Sequence, residues 1–306
     1  MKKPAFIITQ TILSLFLAAS VAAVGAVIYD LKTDSLHLDK VDLLAGWSTS
    51  DQKSSKSSDK NAKETSRKEA EPSAQQSSSV QESSTVKTIS FRSEPADLTA
   101  QPEELIKKLK LYGYNIDYNV SGDHLIMIDT SKSNASVYCY QKSSSGYWWN
   151  IMDNNQPVTD QAFIGEGGAS FVVGSNSDKT PAGIWWLGEA FYIDDKPNTT
   201  YPMFQITENT YWVTDPQSKF FNQRVDDSNE KDWSSAEHMI TMSKQYQYGI
   251  VVNYNTSPAK PDQGTAIFMH CGDAPTAGCI ALPEAAMKSI IEWLDKDSRV
   301  NIFITV

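Results

Sequence analysis

A β-rich α+β domain with one prominent helix is the fold this sequence predicts for residues 124–306. Three observations predict it. From His124 onward, short apolar or alternating runs are separated by Gly, Asn and Asp, the punctuation of strands and turns. One stretch, residues 283–294, carries a strong helical repeat. A chain of about 180 residues is also long enough to bury a substantial single core.

Before that domain come segments of different character. Met1-Lys2-Lys3-Pro4 precedes an almost uninterrupted apolar run over 5–29. A helical bilayer crossing needs about 20 apolar residues, so the run is long enough to span. It exceeds the roughly 7–15 apolar residues of a signal-peptide core, although small residues such as Ala22 and Ala26 leave cleavage open. The expectation is an uncleaved signal anchor over 5–29 in the cell membrane. The lysines before it place 1–4 in the cytoplasm and the rest of the chain outside. No Cys stands near 18–26, which argues against a lipidated cysteine there.

Residues 30–98 read as an extracellular disordered linker. Ser, Lys, Glu, Gln and Asp dominate 48–96, with very few aromatic or branched apolar residues. Such a segment buries too little surface to offset the entropy of ordering. Between residues 50 and 98, eight Lys or Arg balance eight Asp or Glu, so the net charge of −10 falls on the domain that follows. An acidic domain argues against nucleic acid as a partner. In 99–123, Leu105, Ile106, Leu109 and Leu111 recur among Lys and Glu, and a short lead-in helix is expected.

Strands are expected at 125–128, 136–140, 147–151, 184–187, 211–213, 250–254 and 266–270. The helix then begins with Pro283 at its first position and Glu284 in its first turn. Met287, Ile290, Ile291 and Leu294 follow at i, i+3, i+4 and i+7. Residues 299–306 form a closing strand, and no internal repeat is visible.

The chemistry gathers between the strand at 266–270 and this helix. Ala266-Ile-Phe-Met-His270-Cys271-Gly-Asp-Ala-Pro-Thr276-Ala-Gly278-Cys279-Ile-Ala-Leu-Pro283 sets a histidine at a strand end and a cysteine just after a glycine, across one short loop. A thiol is a weak nucleophile until a base or nearby positive charge makes it a thiolate, so a Cys within reach of a His suggests acyl transfer. Gly278 can bring bare backbone close to a reacting carbonyl. The helix start after Cys279 is expected to favour a thiolate modestly.

G-x-A-I-F-M-H, a short polar loop, P-T-A-G-C-I-A-L-P and a helix ending in W-L together resemble the L,D-transpeptidase catalytic domain (YkuD-like family), in its branch with a short His-to-Cys loop. Asp178-Lys-Thr180-Pro181-Ala-Gly183-Ile, Tyr211-Trp212-Val-Thr-Asp215 and Tyr248-Gly-Ile-Val-Val-Asn253-Tyr-Asn255 agree, in order, across 124–306. The resemblance implies a β-sandwich or barrel with Cys279 as nucleophile and His270 as the group that takes its proton. The backbone N–H groups of Gly278 and Cys279 would form the oxyanion hole, and the Cys271 carbonyl would orient the imidazole. Peptidoglycan stem tetrapeptides would lose D-Ala to give a thioester, resolved by an amine as a 3-3 cross-link or by water as carboxypeptidation. No cofactor is implied. Thr276-Ala277-Gly278 stand where the better-known pattern has Ser-His-Gly, and its basic residue after the cysteine is missing. What holds the substrate carboxylate is thereby left open.

The other His and Cys residues are sorted by geometry. Alternation along an extended 266–271 puts Ala266, Phe268 and His270 on one face and Cys271 on the other. Cys139 is expected on a buried strand, with a Cys139–Cys271 disulfide left open. Zinc is disfavoured, because the loop lacks a C-x-x-C pair, a fourth ligand and a catalytic Glu. His238, in Ala236-Glu-His-Met, is expected to be structural, with a place in the cleft as the alternative. Tryptophans such as Trp148, Trp186 and Trp212 are read as core and cleft walls, and Asp194-Asp195 and Asp226-Asp227 as solvated turns. Two rival functions are a sortase-like protein-to-wall transpeptidase, whose His and Cys should lie farther apart in sequence, and a wall-binding module without activity.

Overall fold

Burial on both faces of its central strands determines how this sequence builds its sheet. The computed structural model describes residues 89–306 apart from Ser228 and Glu230. The run over 5–29 and the linker as far as residue 88 lie outside the described residues. Among the described residues no helix is long and apolar enough to cross a membrane.

Two short helices lead in, α1 (Glu103–Leu111) and α2 (Ile116–Asn119). The strands that follow are β1 (His124–Asp129), β2 (Ala135–Lys142), β3 (Trp148–Asn150), β4 (Thr159–Ala162), β5 (Ala169–Ser170), β6 (Thr180–Pro181), β7 (Gly183–Tyr192) and β8 (Met203–Gln205). Then come β9 (Tyr211–Val213), β10 (Arg224–Val225), β11 (Ala236–His238), β12 (Tyr248–Val252), β13 (Phe268–Cys271) and β14 (Ile280–Leu282). Helix α3 (Glu284–Trp293) and strand β15 (Val300–Ile304) close the chain.

The main sheet runs β14-β13-β12-β7-β15-β1-β2-β3, with β4 added to β2 and β8 to β7. It curls, because Phe163, just past β4, pairs with Ala281 of β14 through backbone bonds in both directions. The sheet is thus a curled half-barrel, its edges joined by this bridge and by a second between Gly165 and Thr276. Inside the curl, Ile126, Ile128, Cys139, Ile302 and Ile304 pack with Met287, Ile290 and Ile291 of α3. The intervening residues Leu125, Met127 and Phe303 face the other way, onto Leu105 and Leu109 of α1. A continuous apolar run such as Leu125–Ile128 is what a strand covered on both faces requires. The lead-in helix thus acquires a role the sequence left unassigned, as the outer cover of β1 and β15.

Residues 89–98, expected as the end of the linker, lie against the domain. Ile89, Phe91 and Leu98 pack on the inner core, and Arg92 donates through its backbone N–H to the Ile151 carbonyl (2.9 Å) and through Nε to the Asn150 carbonyl (2.8 Å). The packed domain therefore includes residues before the helix.

At the β12–β13 end the outer face is covered differently. A small sheet in the order β10-β9-β11 lies there, and Trp212 of β9 meets Phe268 of β13 edge-on with ring centres 4.9 Å apart. Opposite His270 in the ladder stands Gly249, where a Cβ would fall 2.2 Å from the Phe191 ring and 2.7 Å from the Met269 carbonyl. Only glycine lets that ring pack beneath the histidine strand.

Candidate active site

Strand β13 and the loop after it bring His270 and Cys279 to one cavity. The parallel pairing of β13 with β14 aligns Met269 with Ile280 and His270 with Ala281, so residues 272–279 must loop back along the sheet edge before β14 begins. The loop is pinned by backbone bonds from Thr276 N–H to the Ile164 carbonyl (3.0 Å) and from Glu166 N–H to the Thr276 carbonyl (2.9 Å). Thr180, fully buried, accepts from the Gly165 N–H (2.8 Å) and donates to the Gly278 carbonyl (2.9 Å). Thr276 Oγ1 donates to the Cys279 carbonyl (2.7 Å). Gly278 has φ of +136°, and a Cβ there would press on the Lys179 carbonyl at 3.2 Å, so both its backbone angle and its space call for glycine.

The far side of the thiol is set by Ala266. This residue has φ of +56°, a left-handed conformation that costs an L-residue about 1–2 kcal/mol. Asn222 holds it there: its Oδ1 accepts from Ala266 N–H (3.0 Å), Thr265 Oγ1 (2.6 Å) and Trp212 Nε1 (2.9 Å), while Nδ2 donates to the Asn255 carbonyl (2.7 Å). The Cys279 thiol donates to the Ala266 carbonyl (3.3 Å) and accepts from the Phe268 N–H (3.4 Å).

His270 is buried, and its Nδ1 lies 2.8 Å from the Cys271 carbonyl. A carbonyl only accepts, so Nδ1 carries the hydrogen and the neutral ring presents a basic Nε2. Burial holds the imidazole pKa below its ordinary value, opposed by that hydrogen bond. The Cys279 thiol is pushed up to about 12, first by burial and then by the Glu237 charge, against a smaller pull from the Phe268 N–H. Both groups are therefore neutral at rest. The helix start does not alter this: β14 separates Cys279 from Glu284 by roughly 10 Å of strand, and the dipole effect fades within the first turn. The residue beside the helix start is Cys271, paired with Leu282 and itself pushed up to about 12, first by burial, with a smaller contribution from the Glu284 charge.

Two cavities meet at Cys279. One, of about 300 Å³, is lined by His270, Tyr246, Thr276 and Asp273; the other, of about 760 Å³, by Asn176, Asp178, Gln263 and Thr265. Glu237, Ala277 and Cys279 line both. Among the described residues neither cavity has a Lys or Arg in its wall. Tyr246 donates its hydroxyl to Glu237 Oε2 (2.5 Å), and its ring meets His270 edge-on at 5.6 Å.

The expected residues divide as follows. His270 and Cys279 share a cavity, and the Cys271 carbonyl holds the imidazole. The Gly278 N–H donates to Thr276 Oγ1 (3.1 Å), so that oxyanion donor is occupied; among the described residues the Cys279 N–H has no partner. All three cysteines are free, with Cys139 and Cys271 buried in the inner core. His238 lines neither cavity: its Nε2 lies 2.8 Å from the Glu208 carbonyl and its ring stacks on Tyr211. Among the described residues, no three of His, Cys, Asp and Glu converge as a metal would need. Trp148 and Trp212 are buried, Trp186 is 38% exposed, and none of the three lines either cavity.

Sequence reading missed Glu237, Tyr246 and Asn222. Glu237 stood in plain view in Ala236-Glu-His-Met, where the histidine drew attention and the glutamate faces the site. Nothing local marks Asn222, whose partners lie up to 44 residues away.

No curated protein and no solved structure matches the chain. The family model for the L,D-transpeptidase catalytic domain (YkuD) does, over residues 123–302. That match spans more than half of the chain, and with it the curled sheet, the His270 strand and the loop that delivers Cys279, so the chain belongs to the L,D-transpeptidase catalytic domain family.

Proposed function

We propose that this chain is a cell-wall L,D-transpeptidase with Cys279 as nucleophile and His270 as its base, held at the membrane by 5–29 and a tether up to residue 88. The observation that carries the reading is the fixed imidazole: Nδ1–H held by the Cys271 carbonyl leaves Nε2 as the basic atom in the cavity that Cys279 lines.

The steps follow from two neutral partners. As Sγ attacks the carbonyl carbon before the terminal D-Ala of a stem tetrapeptide, its proton passes to His270 Nε2. Charge develops on the carbonyl oxygen, where the Cys279 N–H is the available donor, and rotation of Thr276 would release a second from Gly278. The C–N bond breaks, the imidazolium returns its proton to the departing D-Ala amine, and a thioester remains. An amine of a second stem then attacks; its proton passes through His270 to sulfur as the C–S bond breaks, leaving a 3-3 cross-link. Water by the same route leaves a tripeptide. With no Lys or Arg in either wall, amides such as those of Asn176 and Gln263 are left to bind the D-Ala carboxylate.

Mass spectrometry of tetrapeptide muropeptides incubated with the full chain tests this. D-Ala is expected to be lost with the parent protein and retained with Cys279→Ala; retention by both would remove the reading in favour of a wall-binding module. The resting protonation state makes a second prediction. Below the pKa of a thiol, alkylation rises tenfold per pH unit, so the rate with iodoacetamide should climb without a plateau from pH 7 to about pH 10. A plateau near neutrality would mean that a thiolate–imidazolium pair already exists. Because the His270 pKa is lowered, the imidazole stays neutral as pH falls through its ordinary value. The acid limb of D-Ala release should therefore lie below about pH 6.5.

A further inference from the structure

Among the described residues, Glu237 is a carboxylate without a cation. Its β11 backbone sits opposite Trp212 in the small sheet, and its side chain reaches the wall shared by both cavities. Burial is the main influence on it and raises its pKa; the Tyr246 hydroxyl is the opposing one. Among the described residues no Lys or Arg pairs with it. A desolvated carboxylate without a counter-charge is costly to keep ionised. This one also works against the nucleophile, since its charge raises the Cys279 pKa. A group that hinders thiol ionisation yet lines the same two cavities is explained if it serves the other half of the reaction.

Resting on the transpeptidase reading above, we infer that Glu237 binds the positively charged amino group of the acceptor, placing it beside the Cys279 thioester and directing the acyl group to an amine. An ammonium entering either cavity meets carboxylates, including Asp178 or Asp273, and no repelling cation in the wall. Glu237 is the one of these common to both cavities. The bound ammonium must shed a proton before its nitrogen can attack. The Glu237 carboxylate is the acceptor within reach, and it passes that proton to solvent; the second N–H proton follows the His270 route to sulfur. Tyr246 is a positioning residue, fixing the carboxylate and packing its ring on His270.

The test uses the full chain, a tetrapeptide donor and two nucleophiles added in turn: Nα-acetyl-lysine amide, whose side chain is cationic at neutral pH, and hydroxylamine, which is largely uncharged. Glu237→Gln is expected to reduce transfer to the lysine amine at least tenfold more than transfer to hydroxylamine. The same substitution should speed alkylation of Cys279 by iodoacetamide, because a charge that raises the thiol pKa has gone. Glu237→Asp should restore part of the lysine preference, and Tyr246→Phe, which frees the carboxylate, should lose part of it. Equal losses with both nucleophiles, or no loss with either, would each overturn the inference. Failure of the parent protein to release D-Ala would instead overturn the reading beneath it, and the inference with it.

Discussion

The two ends of the main sheet are held by different kinds of interaction. Around β1, β2 and β15, cohesion is apolar and periodic: Leu125, Met127 and Phe303 face α1, while Ile126, Ile128 and Ile302 face the inner core with α3. Around β13 and β14, single polar side chains tie distant backbone together. Asn222 bonds Trp212, Thr265, Ala266 and Asn255, and Thr180 bonds Gly165 and Gly278. Apolar packing is tolerant of small shifts, whereas a hydrogen bond fixes both distance and direction. The end that must place a thiol and an imidazole is the one built from directional contacts.

Substitutions at the two ends should therefore separate stability from activity. Phe303→Ala, at the packed end, removes a fully buried ring that meets Tyr112 and Tyr114 edge-on, and should cost about 3–5 kcal/mol in denaturant unfolding. The molecules that remain folded should release D-Ala at nearly the parent rate. A tenfold drop per folded molecule would break the comparison, because it would mean that the packed end also sets the site. Thr180→Val, at the other end, keeps the shape and removes one hydroxyl, leaving the Gly165 N–H and the Gly278 carbonyl unpaired. It should cost less, about 1–3 kcal/mol, yet slow D-Ala release at least tenfold because the Cys279 loop loses its clamp. A loss of stability with turnover intact would show that Thr276 and the Ile164 contacts hold the loop unaided.

The same division explains what was legible in the sequence. At the packed end, residues 125–128, 136–140 and 299–306 were recognisable because each strand carries its apolar residues locally, and α3 announced itself through Met287, Ile290 and Ile291. At the site end, His270 and Cys279 were legible as chemistry because their loop is short. Their surroundings were not. Strand β14 is three residues long and looks like loop, so the helix dipole was placed too near the thiol. The 163–166 segment, which pins the cysteine loop, has no periodicity to betray it. Glu237 is charged and sits beside a histidine in a three-residue strand, and only the pairing of β11 with β9 reveals that it is partly enclosed. Local pattern reports what a residue does for its own element, while the site depends on what residues do for elements far away in sequence.

The bond from the Cys279 thiol to the Ala266 carbonyl bears on durability as well as reactivity. Peroxides and disulfides consume cysteine through its thiolate, and each further step up the oxidation ladder is harder to reverse. A sulfur kept protonated between turnovers, with its hydrogen given to a strained carbonyl, spends little time in the form that oxidants attack. Under the proposed mechanism the cost is a slower first step, since each acylation would begin by moving that hydrogen to His270. In return, the working life of each molecule would then be set by how often it meets substrate rather than by how long it waits.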